Sequence, residues 1–283
     1  MKIQIIHRIL TVAGSLLLLP AVLVVPTAFA AQPFLSVDFN AGSGGPSPTQ
    51  AGFVAINTGT GSNKGPLANT FNGLDEEFTA TGSVTLTIAR GNTITDGAEG
   101  DFTARDRGEI SLSGEANADT DTFTYGDLYR DALQPAGSGS GGNGKILLEF
   151  SGLRASSAYE IRFFSYDANA TNSRTMIFTD WTTGAAGDTS SITFTGGYAF
   201  TRTTDNYLFS TTITATTDAS GKLLIHAAPD SSGSYGLPLN GLQLTAVPVP
   251  VPESAATTAL MAAGAALGLA TLLYRRAAHT GKN

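Results

Sequence analysis

AYEIRFFSYD, residues 158–167, is the stretch that decides the fold. Between positions 159 and 163 apolar and charged side chains alternate, so that Tyr159, Ile161 and Phe163 share one face of an extended chain. The two charged side chains between them fall on the opposite face. A period of two with aromatic and β-branched residues is typical of a strand that has one face in a core and the other in solvent.

The same alternation recurs at residues 83–88, where valine, leucine and isoleucine alternate with threonine. Shorter apolar runs bounded by Gly, Ser, Pro or Asn are also predicted as strands. They are residues 34–39, 53–56, 145–150, 175–181, 191–194, 207–216, 222–227 and 241–245. Residues 58–65 and 92–106 lack the pattern, and we expect surface loops there.

One short segment, residues 127–133, has helical spacing instead, because Leu128, Ala132 and Leu133 could share one helix face. The middle of the chain has no longer helical pattern and no repeat at the spacing of solenoids or propellers. The sequence therefore predicts an all-β fold over residues 31–246, an antiparallel β-sandwich of the jelly-roll type.

Before this domain, residues 1–30 have the pattern of a signal peptide. A basic start is followed by an apolar run over residues 9–25, and Ala28 and Ala30 form an A-x-A cleavage pattern. We expect Sec-type export machinery to recognise this segment and cleavage to leave Ala31 as the mature N-terminus. An uncleaved N-terminal helix is the alternative.

After the domain, residues 247–254 form a Pro-rich spacer that favours an extended chain. Residues 255–273 carry no charge, and a helix over residues 255–274 comes close to the roughly 30 Å of a bilayer core. Arg275 and Arg276 begin a short basic tail, residues 275–283, which we expect on the cytoplasmic side. An ordinary C-terminal membrane anchor is the alternative, although it would need no Pro-Glu step.

The tail as a whole resembles the PEP-CTERM sorting signal of bacteria that possess an exosortase. The residues that carry the resemblance are Val251, Pro252 and Glu253, followed by the apolar helix and the pair Arg275 and Arg276. Ser254 stands where the family usually has a second proline. The resemblance implies that an exosortase-like enzyme cuts near the Pro-Glu step and passes the domain to the cell surface or extracellular matrix.

Charge and cysteine content exclude several classes of function. Five of the 16 Lys and Arg and one of the 23 Asp and Glu lie in the two ends, so the middle has 11 basic and 22 acidic side chains and a net charge of −11. Such a surface argues against nucleic acid and anionic lipid as partners. The chain has no cysteine, which removes thiol catalysis and Cys-based metal sites.

Several short motifs in the middle also form a pattern. They are Val37-Asp38-Phe39, Leu128-Tyr129-Arg130-Asp131, Phe150-Ser151-Gly152-Leu153 with Tyr159, Tyr166-Asp167 and Leu239-Asn240-Gly241-Leu242. Together they resemble the galactose-binding-like β-sandwiches that often precede such tails. The resemblance implies a sandwich fold, and it assigns no site.

Aromatic side chains near strand ends are the candidate sugar contacts, because sugars stack on aromatic rings. They are Trp181, Tyr198, Phe200, Tyr207 and Tyr235. Packing in the core and at its rim is the alternative for each of them.

Catalytic and metal-binding patterns are weak. The glycine run at residues 139–144 lacks the flanking strand and helix of a dinucleotide site. His226 is the one histidine of the middle, and we interpret it as a strand-end residue with a local hydrogen bond. The loop carboxylates could bind calcium, and they are otherwise solvated charge. They are Asp75, Glu76, Glu77, Asp96, Glu99, Asp101, Asp119 and Asp121.

These patterns predict an exported protein, anchored in the inner membrane by its C-terminal helix and then processed to the surface or matrix. We expect no enzymatic activity, no cofactor apart from the calcium considered above, and contact with carbohydrate such as an exopolysaccharide. A secreted polysaccharide-active enzyme that uses the loop carboxylates is the alternative.

Overall fold

The structure, a computed structural model, describes ten ranges of the chain. They are residues 31–40, 48–58, 62–63, 66–90, 102–106, 125–135, 145–167, 173–194, 207–230 and 238–248. All of them fall in one compact unit, residues 31–283, whereas the other unit, residues 1–30, lies outside them. The predicted signal peptide, sorting step, apolar helix and basic tail therefore lie outside the described residues. Within those ranges no helix has the length and apolar character that a bilayer crossing requires.

The described residues form fourteen strands and one short helix. The strands are β1 (Leu35–Asn40), β2 (Val54–Asn57), β3 (Ser62–Asn63), β4 (Leu67–Asn72), β5 (Ser83–Arg90), β6 (Phe102–Asp106), β7 (Asp131–Pro135), β8 (Ile146–Ser151), β9 (Ala158–Phe164), β10 (Arg174–Asp180), β11 (Thr189–Phe194), β12 (Ser210–Thr216), β13 (Leu223–Pro229) and β14 (Gly241–Ala246). The helix, α1, is Gly126–Arg130. The prediction of an all-β fold is confirmed.

Most strands belong to two large sheets. The five-stranded sheet has the order β12-β9-β14-β1-β2, and the six-stranded sheet has the order β11-β10-β13-β8-β5-β4. Their neighbouring strands are antiparallel, except that β1 and β2 are parallel. From β8 onward the chain crosses between the two sheets at every connection except the β10–β11 hairpin. A third sheet has the order β3-β6-β7.

The two large sheets pack face to face through the apolar positions of their strands. Phe163 of β9 stacks on Phe178 of β10, with ring centroids 4.1 Å apart, and both side chains are fully buried. The alternation in residues 159–163 explains this, because Tyr159, Ile161 and Phe163 are buried while the charged residues between them are not. Burying one such side chain contributes about 1.5–3 kcal/mol to folding.

Three local predictions are wrong, and the first concerns the helix. The structure ends α1 at Arg130, and Ala132 and Leu133 lie on strand β7 instead. Both side chains are buried, but they reach the core from a strand. A segment as short as residues 127–133 does not distinguish a helical from a strand period, and pairing of β7 with β6 decides between the two.

The other two wrong predictions concern segments that were predicted as surface loops and form strands. Residues 102–106 form β6, whose Phe102 is 2% exposed, and Ser62 and Asn63 form β3. Strand β4 was not anticipated at all, because its sequence LANTFN contains two asparagines, which are rare in strands. Pairing of all six β4 residues with residues 83–88 of β5 stabilises it nevertheless.

Candidate functional site

The outer face of the five-stranded sheet carries a row of polar side chains. Arg162 of β9 pairs with Thr212 of β12 on one side and with Gln243 of β14 on the other. Gln243 pairs in turn with Ser36 of β1. Because Ile161 and Phe163 face the core, the residues that alternate with them face outward. The row therefore crosses four strands on the side of the sheet that points away from the core.

Two tyrosines lie above this row. The ring of Tyr207 is 43% exposed, and the guanidinium carbon of Arg162 lies 4.4 Å from its centroid. The ring of Tyr125 meets the ring of Tyr207 edge to face, with centroids 5.7 Å apart. We call Tyr125, Tyr207 and Arg162 the tyrosine platform. It combines an exposed ring with three polar groups, the guanidinium and the two phenols, of which one phenol donates to the other.

Further aromatic rings support the platform from below. Phe164, which follows Phe163 on β9, lies 5.8 Å from the ring of Tyr125 and 6.1 Å from that of Tyr207. Phe53 lies 5.5 Å from Tyr125 at an angle of 86°. The pairs of Tyr125 with Phe164 and Phe53 are edge to face, and such pairs contribute about 0.5–1.5 kcal/mol each beyond burial. The rings of Tyr207, Tyr125 and Phe53 therefore form a continuous strip.

The electrostatics keep the platform rich in donors. Burial raises the pKa of Tyr125 to about 12, and the hydrogen bond to Tyr207 adds to this, so its phenol stays protonated at neutral pH. Arg162 has an acidic neighbour in Glu160, at 3.9 Å, but both side chains are well exposed and such pairs are weak. The guanidinium over the ring of Tyr207 adds a cation–π contact.

Helix α1 fixes the position of Tyr125. The carbonyl of Tyr125 accepts the first helical hydrogen bond, from the backbone N–H of Tyr129 at 3.2 Å. The N–H of Leu128 donates to the side-chain oxygen of Gln50 at 3.4 Å. A Cβ atom on Gly241 would lie 2.6 Å from the Cδ1 atom of Leu128, which is too close for two carbon atoms. A glycine at the start of β14 is therefore what allows α1 to lie on the sheet.

Asn240 joins the elements beneath α1. Its side-chain oxygen accepts a hydrogen bond from the N–H of Tyr166 at 2.6 Å, and its amide donates to the carbonyls of Asp131 and Tyr129. Its own backbone bonds Phe39 and Phe164. This fully buried residue therefore links β1, β9 and β14 to helix α1, which positions Tyr125 of the platform.

A buried carboxyl group lies next to this junction. Asp38 is fully buried, and one of its oxygens accepts the N–H of Gln50 at 2.8 Å, while the other has no hydrogen-bond partner in the described part of the chain. The pKa of Asp38 is raised to about 8, by burial first and then by the neighbouring Asp131 and Asp127, against the opposing effect of the Gln50 bond. The group is thus largely protonated at neutral pH.

Of the predicted sugar contacts, Tyr207 belongs to the platform and Trp181 does not. Trp181 follows β10 and stacks on His226 of β13, with ring centroids 4.8 Å apart. His226 pairs with Thr179 and Leu147, whose strands belong to the six-stranded sheet. Because the two sheets meet through their inner faces, Trp181 and Tyr207 lie on opposite sides of the molecule. Tyr198, Phe200 and Tyr235 lie outside the described residues.

The interpretation of His226 as a strand-end residue is wrong. It lies inside β13 rather than at its end, and its described contact is the ring of Trp181. Its Nε2 has no hydrogen-bond partner within the described ranges. Burial, followed by the positive charge of Lys145, lowers the pKa of His226.

The carboxylate runs form no visible centre. Asp75 accepts the N–H of Glu77 at 2.8 Å, which is a local turn contact, and Glu76 is exposed beside it. Asp96, Glu99, Asp101, Asp119 and Asp121 lie outside the described residues, as do Ala28, Ala30 and the sorting residues. Among the residues that the structure describes, no three His, Asp or Glu side chains come together as metal ligands.

Sequence reasoning missed Tyr125, Arg162 and Phe53 as members of the site. Arg162 was assigned correctly to the outer face, but nothing in the sequence shows which distant ring lies over it. Asn240 was noticed in the short motif at residues 239–242, and a buried asparagine before a glycine could have indicated a structural hydrogen-bonding role.

Comparisons with known proteins do not assign the chain to a family. No family model and no curated protein matches it. Among solved structures, protein YXIM from Bacillus subtilis is 11% identical to this chain, with a TM-score of 0.35. The match covers 75% of this chain and 40% of the Bacillus protein, so this chain spans less than half the length of that protein. A family 35 carbohydrate-binding module from Clostridium thermocellum is 15% identical with a TM-score of 0.27, covering 63% of this chain and 96% of its own. CBM35 from Cellvibrio japonicus Abf62 is 14% identical with a TM-score of 0.25, covering 40% of this chain and 71% of its own. These likenesses are too distant to carry an argument about function.

Proposed function

We propose that this protein is a non-enzymatic, exported surface or matrix protein whose sandwich contacts carbohydrate through the tyrosine platform. The observation that carries this proposal is the exposed ring of Tyr207, flanked by the phenol of Tyr125 and the guanidinium of Arg162. A sugar presents an apolar C–H face and a rim of hydroxyls. The exposed ring matches the first, and the phenols and the guanidinium match the second.

The export route is the second part of the proposal, and the sequence motivates it. Residues 1–30 direct the chain to Sec-type machinery, and residues 255–274 hold it in the inner membrane with Arg275 and Arg276 in the cytoplasm. An exosortase-like enzyme then cuts near Pro252 and Glu253. The repeated crossing of the chain between sheets from β8 to β14 supports the jelly-roll description of the exported domain.

Binding is tested with the full chain by electrophoresis through gels that contain hydroxyethylcellulose, β-1,4-galactan or polygalacturonate. We expect retardation by at least one polymer, no released oligosaccharide, and loss of the retardation in Tyr207→Ala. Trp181→Phe on the opposite sheet is the matched control and should be retarded like the wild type. Released oligosaccharide would show an enzyme instead, and the absence of retardation by every polymer would overturn the carbohydrate proposal.

Processing is tested by mass spectrometry of the mature protein from a strain that possesses an exosortase. We expect a C-terminus near Glu253 in the wild type. Replacing Pro252 and Glu253 by alanine should leave the tail attached. A wild-type chain that is intact through Asn283 in that strain would contradict the sorting proposal, whatever the outcome of the binding test.

A further inference from the structure

A cleft of about 360 Å³ opens beside the platform, between the edges of the two sheets. Strand β2 is the end strand of the five-stranded sheet and β4 is the end strand of the six-stranded sheet, among the strands that the structure describes. Ser36, Gly52 and Val54 line the cleft from the first sheet, and Asn69 and Asn72 line it from the second.

Phe53 connects this cleft to the platform. Its neighbours Gly52 and Val54 form part of the wall of the cleft, while its ring lies 5.5 Å from Tyr125 in the aromatic strip. The pairing of β1, β14 and β9 also connects the cleft to the platform. Ser36 of the cleft pairs with Gln243, and Gln243 pairs with Arg162 of the platform. With strands about 4.8 Å apart, the two sites are separated by roughly 10 Å along the face of the sheet.

The chemistry of the cleft selects an uncharged ligand. None of the described residues in its wall has an ionisable side chain. The carboxamides of Asn69 and Asn72 and the hydroxyl of Ser36 can each donate and accept hydrogen bonds, which suits a ligand with many hydroxyls. Val54, at 52% exposed, adds an apolar surface. The net charge of −11 over the middle of the chain disfavours an acidic polymer as well.

We infer that the tyrosine platform and the cleft are two ends of one elongated site, which binds a stretch of an uncharged polysaccharide chain rather than a single sugar. The platform stacks one sugar on Tyr207. The chain then follows the aromatic strip over Tyr125 and Phe53, and a later sugar enters the cleft between β2 and β4. This inference rests on the proposed carbohydrate function and names its ligand class.

The test measures the affinity of the full chain for oligosaccharides of increasing length, prepared from the neutral polymer that retards it in gels. We expect the affinity to rise with length until the ligand spans both ends. Val54→Lys should weaken the binding of long oligosaccharides about tenfold and leave short ones unchanged, because it places a charge in the cleft alone. Asn72→Ala should act in the same direction without adding a charge. Tyr207→Ala should weaken ligands of every length.

Val247→Lys is the matched control, because Val247 is also an exposed valine but lies after β14 and does not line the cleft. It should bind all lengths like the wild type, and it and the two cleft variants should melt at the wild-type temperature. Tyr207→Ala loses ring contacts with Tyr125 and Phe164 and should melt at a lower temperature. The inference of an elongated site is wrong if the affinity does not depend on the length of the oligosaccharide. It is also wrong if both cleft variants bind long oligosaccharides like the wild type. Sensitivity to Tyr207→Ala would still support the platform in that case. If no polymer or oligosaccharide binds at all, the proposed function itself fails.

Discussion

The phenol oxygens of Tyr125 and Tyr207 lie 3.5 Å apart, although 82 residues separate them in the chain. Tyr125 stands at the start of α1, and Tyr207 stands in the turn before β12, where its carbonyl accepts the N–H of Ser210 at 3.0 Å. Both rings pack on Phe164 of β9, which lies within the stretch that decides the fold, residues 158–167. The candidate site therefore depends on a few long-range contacts with one strand.

The first prediction separates the ring of Tyr207 from its hydroxyl. If stacking dominates, Tyr207→Phe should keep most of the affinity for a neutral glycan, whereas Tyr207→Ala should lose about fivefold or more, since aromatic stacking is worth about 1 kcal/mol or more. Isothermal titration of the full chain measures both. Equal losses in the two variants would show that the hydroxyl, and not the ring, makes the contact.

The second prediction concerns Asn240, whose side chain serves three backbone groups. Asn240→Ala leaves the N–H of Tyr166 and two carbonyls buried without this partner, and each such group costs about 1–3 kcal/mol. We expect the melting temperature to fall by roughly 10 °C. Glycan binding should weaken too, because Tyr125 loses its support. Asn57→Ala, on an exposed position of β2, is the control and should melt like the wild type.

The third prediction follows from Asp38, whose pKa is raised from 3.8 to about 8 in the folded protein. Between these values the unfolded chain has lost a proton that the folded chain retains. The free energy of unfolding therefore decreases as the pH rises through this window, by at most about 1.4 kcal/mol per pH unit, and levels off above it. Asp38→Asn copies the protonated form without a titratable group.

We expect Asp38→Asn to raise the melting temperature at pH 8 much more than at pH 5, and to flatten the dependence between the two. Thermal unfolding of the full chain across that range gives the answer. Glu77→Gln, which removes an exposed carboxylate, should leave the profile of the wild type unchanged. A destabilised Asp38→Asn variant at pH 8 would mean that the carboxylate is charged and needed in the fold.

The fourth prediction uses Trp181, the single tryptophan of the chain, as a reporter of His226. Protonation of the stacked imidazole brings a positive charge onto the indole face and should quench its fluorescence. Because the pKa of His226 is lowered, the midpoint should lie below 6.5. The free energy of unfolding should fall as the pH drops through the same window, since the unfolded histidine protonates first. His226→Gln should abolish the fluorescence transition; its persistence would assign it to another group.

Strand positions were the part of the fold that the sequence predicted best. Residues 83–88 and 158–163 alternate cleanly, and they lie in β5 and β9 of the two large sheets. The prediction failed at β4, β6 and β7, where short segments carry Asn, Thr or Ala and the period is ambiguous. In such segments pairing with a neighbouring strand outweighs intrinsic propensity, and the sequence of the segment does not contain that information.

The candidate site was predictable only in part for a similar reason. Tyr207 and Trp181 were both predicted as sugar contacts from their residue type and their place at the ends of predicted strands. Their different surroundings arise from which sheet each neighbouring strand joins. The rings of Tyr125 and Phe53, in contrast, reach the platform from loops whose course no local pattern specifies.

What the sequence by itself determined is the strand character of the middle, its acidic charge, and the outward direction of Arg162, because alternation and composition are local properties. What only the tertiary structure decided is that Arg162, Tyr125 and Tyr207 meet, that Trp181 lies on the opposite side, and that a neutral cleft adjoins the platform. These facts depend on sheet order and register, which follow from the packing of the two sheets around Phe163 and Phe178 and from the hydrogen bonds of Asn240.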